Sequence, residues 1–204
     1  MLFRSGAQTI DEFLSSLAAK QPTPGGGCVA GLLSALSTSL GSMVLSYSQG
    51  KDAFKEHVKL HEDCAQFLDV ARIEAIELSV ADATAYEALN ILWKLPKDAP
   101  ERIADWDRTV QEAITVPLQT MELCKNILSS LESLTGKTNV KLASDLAIAA
   151  ILADAAARSA NWNVQINLLL LNDDAMSVAV AKKADEVLAC CKDVADSIER
   201  SCRL

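Results

Sequence analysis

Residue 82 is an aspartate where the surrounding pattern asks for an apolar side chain. Residues 52–93 contain neither proline nor glycine. At about 100° per residue, Leu68, Ala71, Ala75, Leu78, Asp82, Tyr86, Leu89 and Trp93 fall on one helical stripe. Asp82 is the single acid among them. A carboxylate taken out of water is costly, so it is either paired, held neutral, or turned toward a ligand cleft. Pairing makes Asp82 a structural residue, and the other two make it a candidate general acid or base. Periodicity leaves both open.

Three further groups have the residue types for chemistry. Asn163 and Asn167 in "NWNVQIN" are i, i+4 neighbours on an otherwise apolar segment; such amides either bridge helices or offer donor and acceptor together to a polar ring. Asp145 shares a helical face with Asn163, but the two stand about 27 Å apart along a straight helix and cannot meet within one subunit. "PTPGGGC" (22–28) lacks a following GK[ST] and follows no strand, so it is neither a phosphate loop nor a dinucleotide fingerprint. It is a turn made for tight packing, or a helix N-terminus whose bare N–H groups meet an anionic or carbonyl-bearing ligand. "HVKLHEDC" (57–64) sets His57, His61 and Cys64 at metal-compatible spacing, yet Lys55, Glu56 and Lys59 crowd His57. A solvated helix face is the preferred reading there, and no metal is expected.

The elements that must position these residues are helices. The chain has 204 residues, half of them apolar but only 4% aromatic, with 8 Gly and 5 Pro, a composition that favours helix over sheet. Thr9 and Glu12 form a capping-box pattern for a first helix over 9–20. A second is expected from about Gly26 to Gln49, a third within 52–93, and a fourth over 100–134 with Pro117 as a kink or break. Ser144 is expected to cap a fifth helix reaching about Leu171, and "NDDA" restarts a sixth. Five or six long helices joined by short loops predict a single all-α domain over 1–204, an antiparallel bundle. The small residues on nearly every face of the second helix, and the alanine-rich fifth helix that is apolar almost all round, predict burial by a second copy, most simply a two-fold dimer.

Composition also excludes partners. The net charge of −8 argues against nucleic acid and anionic membranes, which are held by clustered Lys and Arg. No uncharged apolar stretch is read as a membrane span, the run 146–171 being interrupted by Asp154 and Arg158. "MLFRSGAQTIDEF" shows no apolar signal core before its first acids, so export is not expected. Six cysteines without CxxC spacing fit reduced thiols in a cytoplasmic protein.

In order along the chain, "TIDEFLSSLAAKQPTPGGG", a small-residue helix ending in "GSMV", "DATAYEAL" leading into "LPK", "VPL" at 116–118, the Asn of "TNVKLASD" and "NVQIN" resemble the cyclodeaminase/cyclohydrolase family of folate enzymes. The resemblance implies an all-α dimer with a folate cleft at the subunit interface and Asp82 as the catalytic acid/base. It implies substrate-binding roles for Gly25, Gly26, Gly27, Lys97, Asn139, Ser144, Asp145, Asn163 and Asn167, with a tetrahydrofolate derivative as substrate, no separate cofactor and no metal. Methenyltetrahydrofolate cyclohydrolase is the favoured activity because no formiminotransferase segment accompanies the domain. Formiminotetrahydrofolate cyclodeaminase is the alternative, and a non-catalytic folate-binding or scaffold bundle is the third reading. The chain departs from the family pattern at Cys28, where Ser or Ala is usual, and at Thr138, where Gly is favoured. The stretch 101–113 matches too loosely to give Arg102 or Arg108 a role.

Overall fold

The computed structural model describes residues 8–203. Six helices follow one another: α1 (Ile10–Ala18), α2 (Gly26–Ser46), α3 (Val58–Trp93), α4 (Pro100–Ser133), α5 (Ala143–Leu168) and α6 (Asp174–Cys202). Short 3-10 turns at Asp52–His57 and Val140–Leu142 lead into α3 and α5. Among the described residues there is no strand, so the all-α expectation holds.

Local chemistry sets the boundaries. The Thr9 hydroxyl accepts from the Glu12 N–H at 3.2 Å while the Glu12 carboxylate accepts from the Thr9 N–H at 2.7 Å, closing the capping box of α1. Asp173 accepts from the Met176 N–H at 2.9 Å and starts α6. Pro100 opens α4, where its missing N–H costs nothing. Ser144 does not cap α5. Asn139 accepts from the Lys141 N–H at 3.2 Å and begins the 3-10 turn upstream, so the backbone is already helical when it reaches Ser144, which is exposed.

Alanine and glycine let the helices approach closely. α5 packs on α2, α4 and α6 through Ala149, Ala153, Ala156 and Ala160, all fully buried. The Ser37 hydroxyl donates to the Ala149 carbonyl at 2.7 Å and satisfies itself inside the α2–α5 seam. On the other side of α2, a Cβ on Gly31 would lie 2.6 Å from the Ser79 Cβ and 2.7 Å from the Ala75 carbonyl oxygen. No larger residue fits that crossing with α3. Leu68, Ile127, Leu128 and Leu131 are fully buried in the centre of the bundle, each contributing about 1.5–3 kcal/mol by removal from water.

Two sequence expectations change. α2 does have the length and hydropathy of a membrane span, 21 residues at a mean of 1.7. In this fold it is an internal helix with α3, α4 and α5 around it, and its serines close hydrogen bonds onto backbone carbonyls, as Ser34 does onto Ala30 at 3.0 Å. The expected solvated face at "HVKLHEDC" is solvated only on one side, at Lys59, Glu62 and Asp63. His61 is buried, and its Nε2 lies 2.8 Å from the Lys137 carbonyl oxygen; since a carbonyl only accepts, Nε2 carries the proton. Cys64 is buried against Ser133 at 3.4 Å. These residues pin the start of α3 to the end of α4, and among the described residues no cluster of three metal-ligating side chains forms.

Candidate active site

The glycines, Asp82 and the two asparagines meet at one cavity of about 270 Å³ between the N-terminus of α2, the middle of α3 and the last turns of α5. Gly25 caps α2 without a side chain, so the first turn presents bare backbone to the cavity with the positive end of the helix dipole behind it. The loop before it is tied down from α3, where the Glu87 carboxylate accepts from the Thr23 hydroxyl at 2.8 Å. Phe13 of α1 packs with Cys28 and Ala83 and closes the apolar side of the α2–α3 seam.

Gly27 faces Asp82 so closely that a Cβ at residue 27 would fall on the Asp82 carboxyl group. Bare backbone at this point is a steric requirement for the acid to occupy its position. Burial pushes the Asp82 carboxyl up from its ordinary 3.8 to about 6. No cation or hydrogen-bond donor among the described residues offsets that burial, which speaks against structural pairing within the subunit as the reason for an acid on this stripe. Tyr86, one turn further along α3, lines the same cavity and packs edge-on against Trp93 with ring centroids 6.2 Å apart.

The amides divide their roles. Asn167 bridges helices: its Nδ2 donates to the Ala113 carbonyl of α4 at 2.8 Å. Asn163 does not, since its Nδ2 is buried without a partner, and its side chain packs beside Gly26, 3.5 Å from where a Cβ there would stand. The Asn163 amide lines the cavity with neither end tied to the described residues, so its flip is free to suit a ligand's donor or acceptor.

The remaining expected residues lie elsewhere in the subunit. Lys97 is exposed in the turn after α3. Ser144 and Asp145 sit at the far end of α5, about 27 Å from Asn163 along the axis, and Asn139 lies in the connection just before that end. There the Asn139 N–H donates to the Ser48 hydroxyl at 2.9 Å and fastens the α4–α5 connection to the end of α2. Sequence reasoning placed Tyr86 on the right stripe without a site role, and it passed over Ile166, which lies between the two asparagines in the cavity wall.

Cys28 directly follows the glycines but turns away from the cavity. It is fully buried, its thiol donates to the Ser79 carbonyl at 3.4 Å, and the Ser79 hydroxyl returns a bond to the Cys28 carbonyl at 3.3 Å. Burial, with the charge of Asp82 adding to it, pushes the thiol up to about 11. It is a packing residue with no nucleophilic character near neutrality.

A lone carboxyl raised toward neutral pH in a small, polar-rimmed cavity is an arrangement that can move protons on a small molecule. The helical-bundle enzyme class so defined has known members. The chain belongs to the formiminotransferase-cyclodeaminase family, whose profile matches residues 9–199. It is 32% identical over 192 residues to a methenyltetrahydrofolate cyclohydrolase of Methylorubrum extorquens, with 91% of each chain covered. It is 29% identical over 180 residues to the formimidoyltransferase-cyclodeaminase of Gallus gallus; 86% of the chain aligns, and it spans 33% of that longer protein. The crystal structure of a formiminotetrahydrofolate cyclodeaminase from Thermotoga maritima superposes with a TM-score of 0.88 at 25% identity, covering 96% of both chains.

Proposed function

We propose that this protein is a methenyltetrahydrofolate cyclohydrolase, adding water to 5,10-methenyltetrahydrofolate to give 10-formyltetrahydrofolate. The observation that carries the reading is Asp82, an unpaired carboxyl titrating near 6 against the bare backbone of Gly27. In this scheme the ionised carboxylate takes a proton from the water that attacks the methenyl carbon. The resulting tetrahedral centre collapses by breaking the bond to N5, and the carboxylic acid returns its proton to that nitrogen. The hydroxyl left on the carbon loses its proton as the formyl C=O forms, so one proton is released per turnover. Gly25, Gly26 and Gly27 provide close backbone approach and N–H groups, and Asn163 and Asn167 meet polar atoms of the folate.

The likeness to the bacterial cyclohydrolase over nearly the whole of both chains supports this activity ahead of the cyclodeaminase reaction. The second reading is supported by the superposition on the Thermotoga maritima protein. In it N10 attacks the carbon of the formimino group of 5-formiminotetrahydrofolate in its protonated, amidinium form, and the same carboxyl carries the N10 proton to the resulting NH2, which departs as ammonia and leaves the methenyl cation. Side-by-side assays of the purified protein, following loss of methenyl absorbance with the first substrate and its appearance with the second, separate the two. Turnover of neither leaves the non-catalytic bundle.

The functional unit in this reading is a homodimer. Ile148, Ile151, Trp162, Ile166 and Leu169 share one face of α5 and are exposed, Trp162 by 76% and Leu169 by 78%. An isologous, antiparallel pairing of two α5 helices about Ala155 sets Ile148 against the other copy's Trp162. It also lays the Ser144–Asp145 end of each α5 beside the other subunit's cavity, which gives those residues, distant within one chain, a route to the substrate.

A further inference from the structure

Pro117 stands inside α4, which runs unbroken from Pro100 to Ser133, and it is buried. A proline there is unfavourable for the helix: it lacks the N–H that residue i−4 expects, and its ring pushes that carbonyl off the helix axis. Residue i−4 is Ala113. Its carbonyl is the group that accepts from Asn167 Nδ2 at 2.8 Å, and both Ala113 and Asn167 line the cavity. Since a carbonyl cannot donate, the nitrogen of the Asn167 amide must be the atom facing α4, and the flip of that amide is fixed.

We propose that Pro117 is a positioning residue of the site, acting through the Ala113 carbonyl to hold the Asn167 amide with its oxygen toward the ligand. The group met at residue 167 is then an N–H of the substrate. One turn earlier, Asn163 lines the same cavity, but no hydrogen bond fixes the flip of its amide. The set polarity is therefore that of residue 167, an acceptor for a substrate N–H, which a reduced pterin offers and a simple carboxylate or phosphate does not. This inference rests on the folate reading given above.

The test uses full-length Pro117→Ala, Asn167→Ala and the double variant, assayed with 5,10-methenyltetrahydrofolate. Restoring the N–H at 117 draws the Ala113 carbonyl back along α4, so thermal stability is expected to hold or rise while KM rises about three- to tenfold with a smaller change in kcat. The double variant is expected to be no worse than Asn167→Ala alone, because both remove one arrangement. A second readout is independent of turnover. In ¹⁵N-labelled protein, one side-chain amide proton of Asn167 is expected to be shifted and protected from exchange by the Ala113 carbonyl, and Pro117→Ala is expected to abolish this. An unchanged KM, fully additive effects in the double variant, or an unaltered Asn167 resonance would each overturn the proposal. If the wild-type protein turns over neither folate, the activity reading falls separately, and the amide resonance still decides the coupling of Pro117 to Asn167.

Discussion

Gly27 and Asp82 form a steric pair: the Cα of the one leaves no room for a Cβ because the carboxyl of the other occupies that space. The pair joins the first turn of α2 to the middle of α3, and it makes the glycine run a condition for the acid being where it is.

Gly27→Ala therefore expels Asp82 from its position. The expected outcome is a loss of about 100-fold or more in kcat/KM, the scale associated with displacing a reacting group by about 1 Å. Gly25→Ala, where a Cβ meets nothing within 4 Å, is expected to be far milder. Steady-state kinetics on the two variants checks the contrast.

Burial raises Asp82 to about 6, and attack by water requires its ionised form. The limb of kcat/KM governed by Asp82 is expected to fall as pH drops through about 6. A pH–rate profile of the enzymatic methenyl reaction, corrected for the uncatalysed one, measures it.

The same shift has a stability consequence of opposite sign. The folded pKa of about 6 lies above the ordinary 3.8, so between those values the native state holds a proton that the unfolded chain has lost. Asp82 therefore costs stability progressively as pH rises through that window. Asp82→Asn is expected to be more stable than the wild type above pH 6, by up to about 3 kcal/mol, and to lose most of that advantage at pH 4. Chemical denaturation at the two pH values gives the comparison.

Helix placement was legible in the sequence because capping residues, proline and glycine mark ends locally. Thr9 with Glu12 and the "NDDA" restart fell where the caps form. The Asp82 stripe was legible for the same reason, since periodicity needs one helix only. The errors came where a distant segment decides the environment. His61 looked solvated beside its charged sequence neighbours, and its partner is the carbonyl of Lys137. Pro117 read as a kink or break; α4 runs through it without a break, and nothing local to it could reveal that the carbonyl four residues earlier is bonded by Asn167. Gly27 and Asp82 were both flagged, yet their contact crosses two helices and no spacing rule encodes it.

Asn163 and Cys28 contrast a proposed ligand contact with a packing residue. Asn163→Ala removes an amide whose Nδ2 has no partner among the described residues, so melting temperature is expected to hold while substrate KM rises about three- to tenfold. Cys28→Ser keeps a donor for the Ser79 carbonyl, which now receives the thiol at 3.4 Å. Its kcat/KM is expected to stay within about twofold of wild type. Kinetics and thermal melts on both variants report the difference.

The central claim is that the Asp82 carboxyl transfers the proton. Turnover of 5,10-methenyltetrahydrofolate by Asp82→Asn, measured by loss of methenyl absorbance on protein shown to keep its helical content and wild-type oligomeric state, tests it most directly. The expected result is a fall in kcat of at least about 100-fold, in line with removal of a general acid–base group; a variant that keeps wild-type turnover would contradict the account.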